Sequence, residues 1–284
     1  MTDYGEWIDR RAVGADRLDE ALCARWLATF DLPPPDTATM PQGVHFALCT
    51  PTARTEQLGP DGHPARSGDP ADFLPPFSMP RRMWAASAIE FIGPLVIGAA
   101  VKRESRIASI EQKPGSTGPL AFVKIEHETS ADGAICVRET QTLVYREAAE
   151  PDAPLTPAKP GEERFDKGAW SAHTALTPST ALLFRYSALT FNSHRIHYDA
   201  PYARGVERYR GPVVHGPLIA SLLLQLAARE LGDNALRQFA FRARSPAIAG
   251  DVLHLVMRPA GDTYEFGAFA ADGRTVMAAT GSTA

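Results

Sequence analysis

Apolar residues recur at helical spacing near the start of the chain. Within residues 15–31 they fall at Leu18, Leu22, Trp26, Leu27 and Phe30, and the segment LPPP follows. This spacing predicts an amphipathic helix that ends at the prolines. Residues 51–81 are rich in proline, glycine and aspartate, and they predict a long irregular loop. Loops of this length in compact domains are often functional.

From Arg82 to Glu147 the pattern changes to an alternation of apolar and polar residues, which is typical of strands. Turn-prone sequences, of which KPGSTGP and SADGA are the clearest, separate four alternating segments: MWAASAIEFIG, AAVKRESRIASIEQK, PLAFVKIEHETSA and AICVRETQTLVYRE. The pattern predicts four long antiparallel strands.

The second half of the chain repeats this organisation. Residues 148–164 are proline-rich, charged and without periodicity, as is typical of a linker. Beyond it, the segment PLIASLLLQLAAREL at 217–231 is apolar on almost every face and predicts a buried helix. Four further segments predict strands, at 236–245, 251–259, 262–270 and 273–281. We find no residue-level repeat, so any duplication concerns architecture alone.

A buried helix along a curled antiparallel sheet is the hot-dog arrangement. Two such units in one chain make a double hot dog, which is an α+β fold with a long helix against each sheet. We therefore expect an N-terminal hot dog at 1–147, a linker at 148–164 and a C-terminal hot dog at 165–284.

Composition and charge exclude several classes of function. The net charge of −4 argues against a general binder of nucleic acid or of membrane surfaces. No apolar run approaches the length that spans a bilayer, and the acidic N-terminal segment resembles neither a secretory signal nor a transit peptide. Cys23, Cys49 and Cys136 are widely spaced, without a CxxC pair. Such cysteine usage favours a reducing compartment, so we expect a soluble cytoplasmic protein.

Residues 184–217 gather polar chemistry beside the predicted buried helix. They hold three of the eight histidines and five arginines. The ordinary pKa of histidine suits proton transfer at neutral pH, and His197 is our candidate. Gly216 followed by Pro217 predicts a helix start, whose first backbone N–H groups have no internal partner and can polarise a thioester carbonyl. Each feature taken alone is also common in purely structural roles.

Together these residues carry a resemblance. FRYSALTFNSHRIHYD followed by VVHGPLIASLLL resembles the active-site segment of the MaoC-type, R-specific enoyl-thioester hydratases and dehydratases. In particular, the chain resembles the branch that contains hydratases of mesaconyl-C4-CoA and itaconyl-CoA and the fungal type 2 hydroxyacyl-thioester dehydratase. PRRMWAASAIEFIGPLVIGAAVKRES resembles the degenerate N-terminal hot dog of that branch, so the resemblance covers nearly the whole chain.

The resemblance implies that His197 is the catalytic histidine and that the Gly216 N–H binds the thioester oxygen. Asn192 stands where the wider family has a catalytic aspartate, and an amide can orient water but cannot take its proton. Two alternatives follow: His197 is the only acid–base group, or a second carboxylate reaches the site from elsewhere in the chain. Asp199 and Glu207 are the nearest carboxylates in sequence, and we assign neither a catalytic role.

Arg195 lies between these candidate site residues. A guanidinium binds a carboxylate through a planar two-point contact, so a C5 dicarboxylic monothioester would suit it. The other candidate substrate contacts are Arg185, Tyr186, Arg208 and His215. Of these, Arg208 belongs to a basic cluster at 204–210 that suits the phosphates of coenzyme A. His215 also suits a packing role at the helix entrance.

We therefore predict a hydro-lyase that adds water reversibly to mesaconyl-C4-CoA or itaconyl-CoA to give citramalyl-CoA. We expect no cofactor beyond the coenzyme A of the substrate, and no metal, because no carboxylate or cysteine completes a ligand set with the histidines. Whether the protein forms a homodimer is left open. The alternatives are a 3-hydroxyacyl-thioester dehydratase of fatty-acid metabolism, a thioesterase on the same fold, and an acyl-CoA-binding protein without activity.

Overall fold

The computed structural model describes residues 4–69, 72–115 and 118–284. In these residues ten strands form one antiparallel sheet in the order β1-β3-β4-β5-β2-β7-β10-β9-β8-β6. The strands are β1 (Arg11–Arg17), β2 (Arg81–Phe91), β3 (Ala100–Gly115), β4 (Gly118–Ala131), β5 (Ala134–Arg146), β6 (Ala172–Leu176), β7 (Gln238–Ala243), β8 (Leu253–Ala260), β9 (Thr263–Ala270) and β10 (Thr275–Ser282).

The strand order is the same in the two halves of the sheet. Read from its outer edge, one half runs β1-β3-β4-β5-β2 and the other runs β6-β8-β9-β10-β7. The two innermost strands, β2 and β7, pair antiparallel with Ala88 opposite Ala240, and they join the halves into one surface. The duplication that the sequence shows only as architecture is therefore present in the topology.

Four α-helices lie in the described residues: α1 (Glu20–Thr29), α2 (Thr180–Leu189), α3 (Ala200–Gly205) and α4 (Gly216–Leu231). α1 follows β1 and α2 follows β6, so the two helices correspond to each other. A side-chain oxygen caps each of them, that of Asp19 for α1 and that of Ser179 for α2. The two helices pack together, and none of the four is long and apolar enough to cross a bilayer.

Beyond these two helices the units differ. In the C-terminal unit the 16-residue α4 packs with its buried leucines against β6, β8 and β9. In the N-terminal unit the segment between α1 and β2 holds the 3₁₀ turn Val44–Ala47 and then a loop that leads to β2. Within the described residues, the long helix is therefore a feature of the C-terminal unit.

This loop is anchored by its own small core. Phe77 and Met79, near its end, are buried with Trp7 against residues of β4 and β5, among them Tyr145. The predicted loop at 51–81 is confirmed in outline, with a 3₁₀ turn at Thr55–Gln57 and with its last residue already in β2. Burial of apolar side chains fixes the loop against the sheet.

The strands predicted at 82–147 and after residue 236 are confirmed as β2–β5 and β7–β10, and the helix at 217–231 as α4. The helix predicted at 15–31 is wrong at its start, because residues 11–17 form β1 and pair with β3. β6, α2 and α3 were not predicted. The centre of the KPGSTGP turn, at 116–117, lies outside the described residues.

Candidate active site

His197 ends a 3₁₀ turn, Arg195–His197, that precedes α3. Its ring is buried, and Nδ1–H donates to the Val213 carbonyl oxygen at 2.7 Å. That bond leaves Nε2 as the unprotonated ring nitrogen, and no described residue hydrogen-bonds to it. Burial lowers the pKa of His197 to about 4, although the bond to Val213 opposes this shift. The neutral imidazole is ready to accept a proton at Nε2.

His215 and Gly216 adjoin His197 at the start of α4. The rings of His215 and His197 stack with centroids 3.5 Å apart, and His215 Nε2 lies 2.9 Å from the Ser187 hydroxyl. His215 Nδ1 is buried without a hydrogen-bond partner in the described residues. As the first residue of the helix, Gly216 has a backbone N–H without an intrahelical acceptor.

The space beside Gly216 is open. A Cβ atom built at this glycine would meet a single atom within 4 Å, the carbonyl oxygen of Trp84 at 3.8 Å. Trp84 belongs to β2 of the N-terminal unit, so the helix start faces the junction between the units. An unsatisfied N–H at the positive end of a helix dipole, with room beside it, suits a carbonyl or enolate oxygen.

Asn192 shapes the turn before His197. Its Oδ1 accepts the backbone N–H of His194 at 3.0 Å, and its own N–H donates to the Ser187 carbonyl at 2.8 Å. With Oδ1 bound in this way, the side-chain NH₂ is the group that remains for a ligand or a water. Asn192 can therefore orient a water molecule but cannot deprotonate it.

The N-terminal unit brings two residues to this turn that the sequence analysis missed, Asp61 and His63. Asp61 Oδ2 accepts from His63 Nδ1 at 3.0 Å. The His63 ring lies 4.0 Å from that of His194, whose ring meets His197 edge-on at 5.4 Å. The structure therefore lines up four imidazoles, three from the predicted segment and one from the loop.

Asp61, His63 and His194 offer ligand atoms within 4.8 Å of one another. The fold therefore supplies a carboxylate, Asp61, beside one of the histidines of the predicted segment, His194, which the sequence analysis did not foresee. The absence of a metal stays a prediction. A carboxylate and two imidazoles are ligands that zinc and similar ions accept. The Asp61–His63 hydrogen bond already joins two of the three groups.

Arg82 brings positive charge near two of the imidazoles. Burial is the first cause that lowers the pKa of His63, His194 and His215, and Arg82 lowers the pKa of His63 and of His194 further. Arg82 lies half-buried on β2, two residues before Trp84, and no hydrogen bond or ion pair with a described residue engages its guanidinium. The four imidazoles are neutral at pH 7. Arg82 lies near them without a hydrogen-bonded or ion-paired partner among the described residues, which suits an anionic ligand.

Arg195 is directed elsewhere. Its Nε and Nη2 donate to Asp199 Oδ2 at 2.9 and 2.7 Å, and Nη1 donates to the Pro60 carbonyl at 2.9 Å. The guanidinium also lies 4.2 Å above the ring of Tyr202. Arg195 thus has a carboxylate partner inside the protein and fastens the loop to the turn.

The remaining predicted contacts divide into one near residue and two distant ones. Tyr186 is buried with its ring centroid 5.0 Å from that of His215, and burial raises its pKa. Arg185 is exposed and donates to the Ala28 carbonyl of α1. Arg208 donates to the Ala153 carbonyl and so holds the linker. The structure does not bring the two arginines to the imidazoles.

The two other carboxylates near His197 in sequence are also engaged. Asp199 caps α3 and binds Arg195, while buried Glu207 pairs with Arg81 at 2.5 Å. Neither is free to act as a base. Asp61, His63 and Arg82 come from the other unit. The only sequence signal of Asp61 and His63 is LGPDGHP, a charged and imidazole-bearing turn inside a long loop.

Comparison with known proteins identifies the family of the chain. The family model of the hydroxyacyl-thioester dehydratases type 2 matches residues 43–249. The chain belongs to this family. Among its relatives, the mesaconyl-C(4)-CoA hydratase of Chloroflexus aurantiacus is 40% identical over 98% of this chain and 97% of that protein. The matched residues of the family include both the LGPDGHP loop and the 184–217 segment.

Solved structures confirm the fold. A MaoC-like dehydratase from Phytophthora capsici superposes with a TM-score of 0.72 at 12% identity, covering 99% of this chain and 97% of that one. A Mycobacterium tuberculosis protein with a double hot-dog fold superposes with a TM-score of 0.58 at 15% identity, covering 96% and 95%. The α+β double hot dog predicted from the sequence is thus confirmed.

Proposed function

We propose that this member of the hydroxyacyl-thioester dehydratase type 2 family adds water to the double bond of a C5 dicarboxylyl-CoA. Mesaconyl-C4-CoA is the first candidate substrate and itaconyl-CoA the second, each giving citramalyl-CoA. The observation that carries the proposal is the pairing of His197, with its unprotonated Nε2, and the unsatisfied Gly216 N–H at the junction of the units. The similarity to a mesaconyl-C(4)-CoA hydratase supports the choice of substrate.

The thioester carbonyl oxygen accepts the Gly216 N–H in this mechanism. In mesaconyl-C4-CoA, whose double bond is conjugated with the thioester, water adds to the β-carbon, one O–H bond breaks, and the π electrons move to the carbonyl oxygen as an enolate. The start of α4 stabilises that charge through its dipole and the free N–H. The enolate then takes a proton at the α-carbon, so the sum is one water added with no change in oxidation state. The balance calls for no cofactor beyond the coenzyme A of the substrate.

His197 carries proton transfer in this scheme. His197 lies next to the start of α4, because its ring stacks on that of His215, the residue that precedes Gly216. Asn192 contributes its NH₂ group to orient water or substrate. A general acid–base group of this kind typically contributes about 10²–10⁴ in rate.

Arg82 is our candidate for the second carboxylate of the substrate. In mesaconyl-C4-CoA that carboxylate is attached to the β-carbon, so its partner must lie beside the imidazoles. Burying a carboxylate without a partner costs several kcal/mol, and the half-buried guanidinium of Arg82 can serve as that partner. The two charges offset each other. Arg82 therefore takes the role that the sequence assigned to Arg195.

The two arginines form a matched pair for a test. We expect kcat/KM of the wild type to be far higher for mesaconyl-C4-CoA or itaconyl-CoA than for crotonyl-CoA, which lacks the second carboxylate. Arg82→Met should remove most of this preference and leave the slow crotonyl-CoA reaction in place. Arg195→Met should preserve the preference. Discrimination that survives Arg82→Met but not Arg195→Met would return the role to Arg195.

The alternatives give different signals. A thioesterase releases free thiol, and its water attacks the carbonyl with the help of a carboxylate base or nucleophile. A dehydratase of fatty-acid metabolism favours uncharged acyl chains, and a binding protein changes neither absorbance nor thiol. One chain suffices for the proposed site, since both units contribute to it. The three free cysteines support a cytoplasmic location.

A further inference from the structure

The proposed hydration needs a base for water, and Asn192 stands where a carboxylate would serve. The structure places one carboxylate at the imidazole cluster, Asp61 from the N-terminal unit. Asp61 Oδ2 accepts from His63 Nδ1 and Oδ1 accepts from the His63 backbone N–H, both at 3.0 Å. Because both oxygens serve one residue, the imidazole is held in a fixed orientation.

This orientation decides which nitrogen of His63 is available. A carboxylate at Nδ1 keeps the proton there and leaves Nε2 as the acceptor, the arrangement that also prepares a histidine base in hydrolases. Burial, Arg82, His197 and Arg66 lower the pKa of His63, in that order, so the ring is neutral at pH 7. When the ring takes a proton, Asp61 is in contact with the imidazolium that forms.

The loop that carries the pair is built into the site. The backbone of Arg195 donates to the Asp61 carbonyl at 2.9 Å, and the Ser193 hydroxyl donates to the Gly62 carbonyl at 2.5 Å. Within the loop, the Gly59 N–H donates to the His63 carbonyl at 2.7 Å. These bonds fix Asp61 and His63 against the same turn that carries His197.

We propose that Asp61 and His63 form a catalytic pair that the N-terminal unit adds to the site, with His63 as the base for water and Asp61 as its positioning residue. This inference rests on the proposed hydration. His63 Nε2 takes one proton of the water as the oxygen bonds to the β-carbon, and the enolate receives its proton at the α-carbon from His197 Nε2.

Over one turnover, the histidines release as many protons as they take up. All the imidazoles start neutral. The proton that His63 Nε2 takes from water passes by way of His194, whose ring lies between the two, to His197 Nε2, which delivers it to the α-carbon. The Val213 carbonyl on Nδ1 favours the protonated form of His197, as does the negative charge of the substrate. No oxidant, reductant or further reactant is involved.

The test separates the two proton transfers. We would measure hydration of mesaconyl-C4-CoA, and in D₂O the exchange of α-hydrogen in its saturated analogue, which cannot be hydrated. His63→Gln should lower the kcat of hydration by about 10² or more while KM and α-exchange stay close to the wild type. His197→Gln should lose both reactions. A role of His63 in structure alone would lower the two together.

Three further measurements complete the design. Asp61→Asn should lower hydration less than His63→Gln does and also spare α-exchange. Added imidazole should restore hydration to His63→Ala. The matched control is His173→Gln, a histidine of β6 whose ring bonds to His254, and it should behave as the wild type. Thermal unfolding of each variant confirms that it folds.

Several results would overturn the pair. If His63→Gln hydrates the substrate at a rate within about threefold of the wild type, His63 has no catalytic role, and the proposed hydration is unaffected. Loss of wild-type activity on chelation, together with a divalent ion bound in the purified protein, assigns Asp61, His63 and His194 to a metal instead. A wild type that hydrates no unsaturated acyl-CoA removes both the pair and the proposed function.

Discussion

Gly62 tests whether the loop of the N-terminal unit completes the site. Its backbone φ is +85°, and a Cβ atom at this position would lie 2.0 Å from the Ser193 carbonyl oxygen. Alanine at Gly62 would strain the backbone and would also collide with a main-chain atom that no side-chain rotation can move. The loop and the turn at 192–195 must then separate.

The size of the effect follows from the contacts. A left-handed conformation costs a residue with a Cβ atom about 1–2 kcal/mol. Separation also breaks two loop-to-turn hydrogen bonds, Ser193 to Gly62 and Arg195 to Asp61, each of which contributes about 0.5–1.5 kcal/mol. We expect Gly62→Ala to lower the free energy of unfolding by about 2–5 kcal/mol. Hydration should fall further than stability suggests, since Asp61 and His63 leave the cluster.

Gly68 provides the matched control in the same loop. Its φ is +79°, but a Cβ atom there would come no closer than 3.7 Å, to Pro76. Gly68→Ala therefore has the backbone strain, which costs about 1–2 kcal/mol, but not the collision. This variant should hydrate the substrate at the wild-type rate. Urea unfolding and hydration kcat on both variants make the comparison. Equal losses in the two variants, or full hydration by Gly62→Ala, would refute the reasoning.

Three other changes probe the site and its buried imidazoles. His197→Ala should lower kcat by about 10²–10⁴ and still fold, as measured by steady-state kinetics and thermal unfolding. Asn192→Ala should lower turnover without shifting the pH profile, and Asn192→Asp should bring no clear gain; a gain would weaken the hydratase proposal. Burial lowers the pKa of His45, His127 and His197 to about 3, 4 and 4, so below about pH 6.5 the unfolded chain binds more protons and stability falls. Glu139 opposes this, because burial raises its pKa to about 7 and protonation then favours the folded state. Between pH 7 and pH 5 each of the three histidines removes about 2 kcal/mol and Glu139 returns about 2, so urea unfolding should show a net loss of about 4 kcal/mol; unchanged stability would contradict it.

Elements with a strong period were predictable from the sequence. β3, β4 and β5 each have at least 13 residues of alternation, and α4 is apolar on nearly every face. The sequence did not predict β1, because RAVGADR shows no alternation of apolar and polar residues and none of its residues is buried. The pairing with β3, and not the local sequence pattern, therefore makes residues 11–17 a strand.

The site residues also fall into those that the sequence indicated and those that it did not. His197, His215 and Gly216 lie within 20 residues of one another, and their shared segment suggested a shared site. Asp61 and Arg82 are more than 100 residues away, and contacts between the units, among them the pairing of β2 with β7, bring them to the start of α4. Single-sequence reasoning has no access to such a contact.

Arg195 shows a second reason why the sequence alone did not predict the whole site. The sequence placed it correctly between the site residues, yet a 3₁₀ turn directs its side chain to Asp199, four residues on. The i, i+4 spacing of opposite charges was visible in the sequence and indicates such a pair on helical backbone. The direction of a side chain in a turn depends on the backbone, which the sequence pattern did not resolve.

The most direct test of the hydration itself follows the wild-type enzyme with mesaconyl-C4-CoA and with crotonyl-CoA. Enoyl-thioester absorbance, free thiol and product mass are recorded in parallel. We predict a reversible loss of absorbance, a product heavier by one water, no free thiol, and much faster turnover of mesaconyl-C4-CoA. Release of thiol, or faster turnover of crotonyl-CoA, would contradict the proposed function.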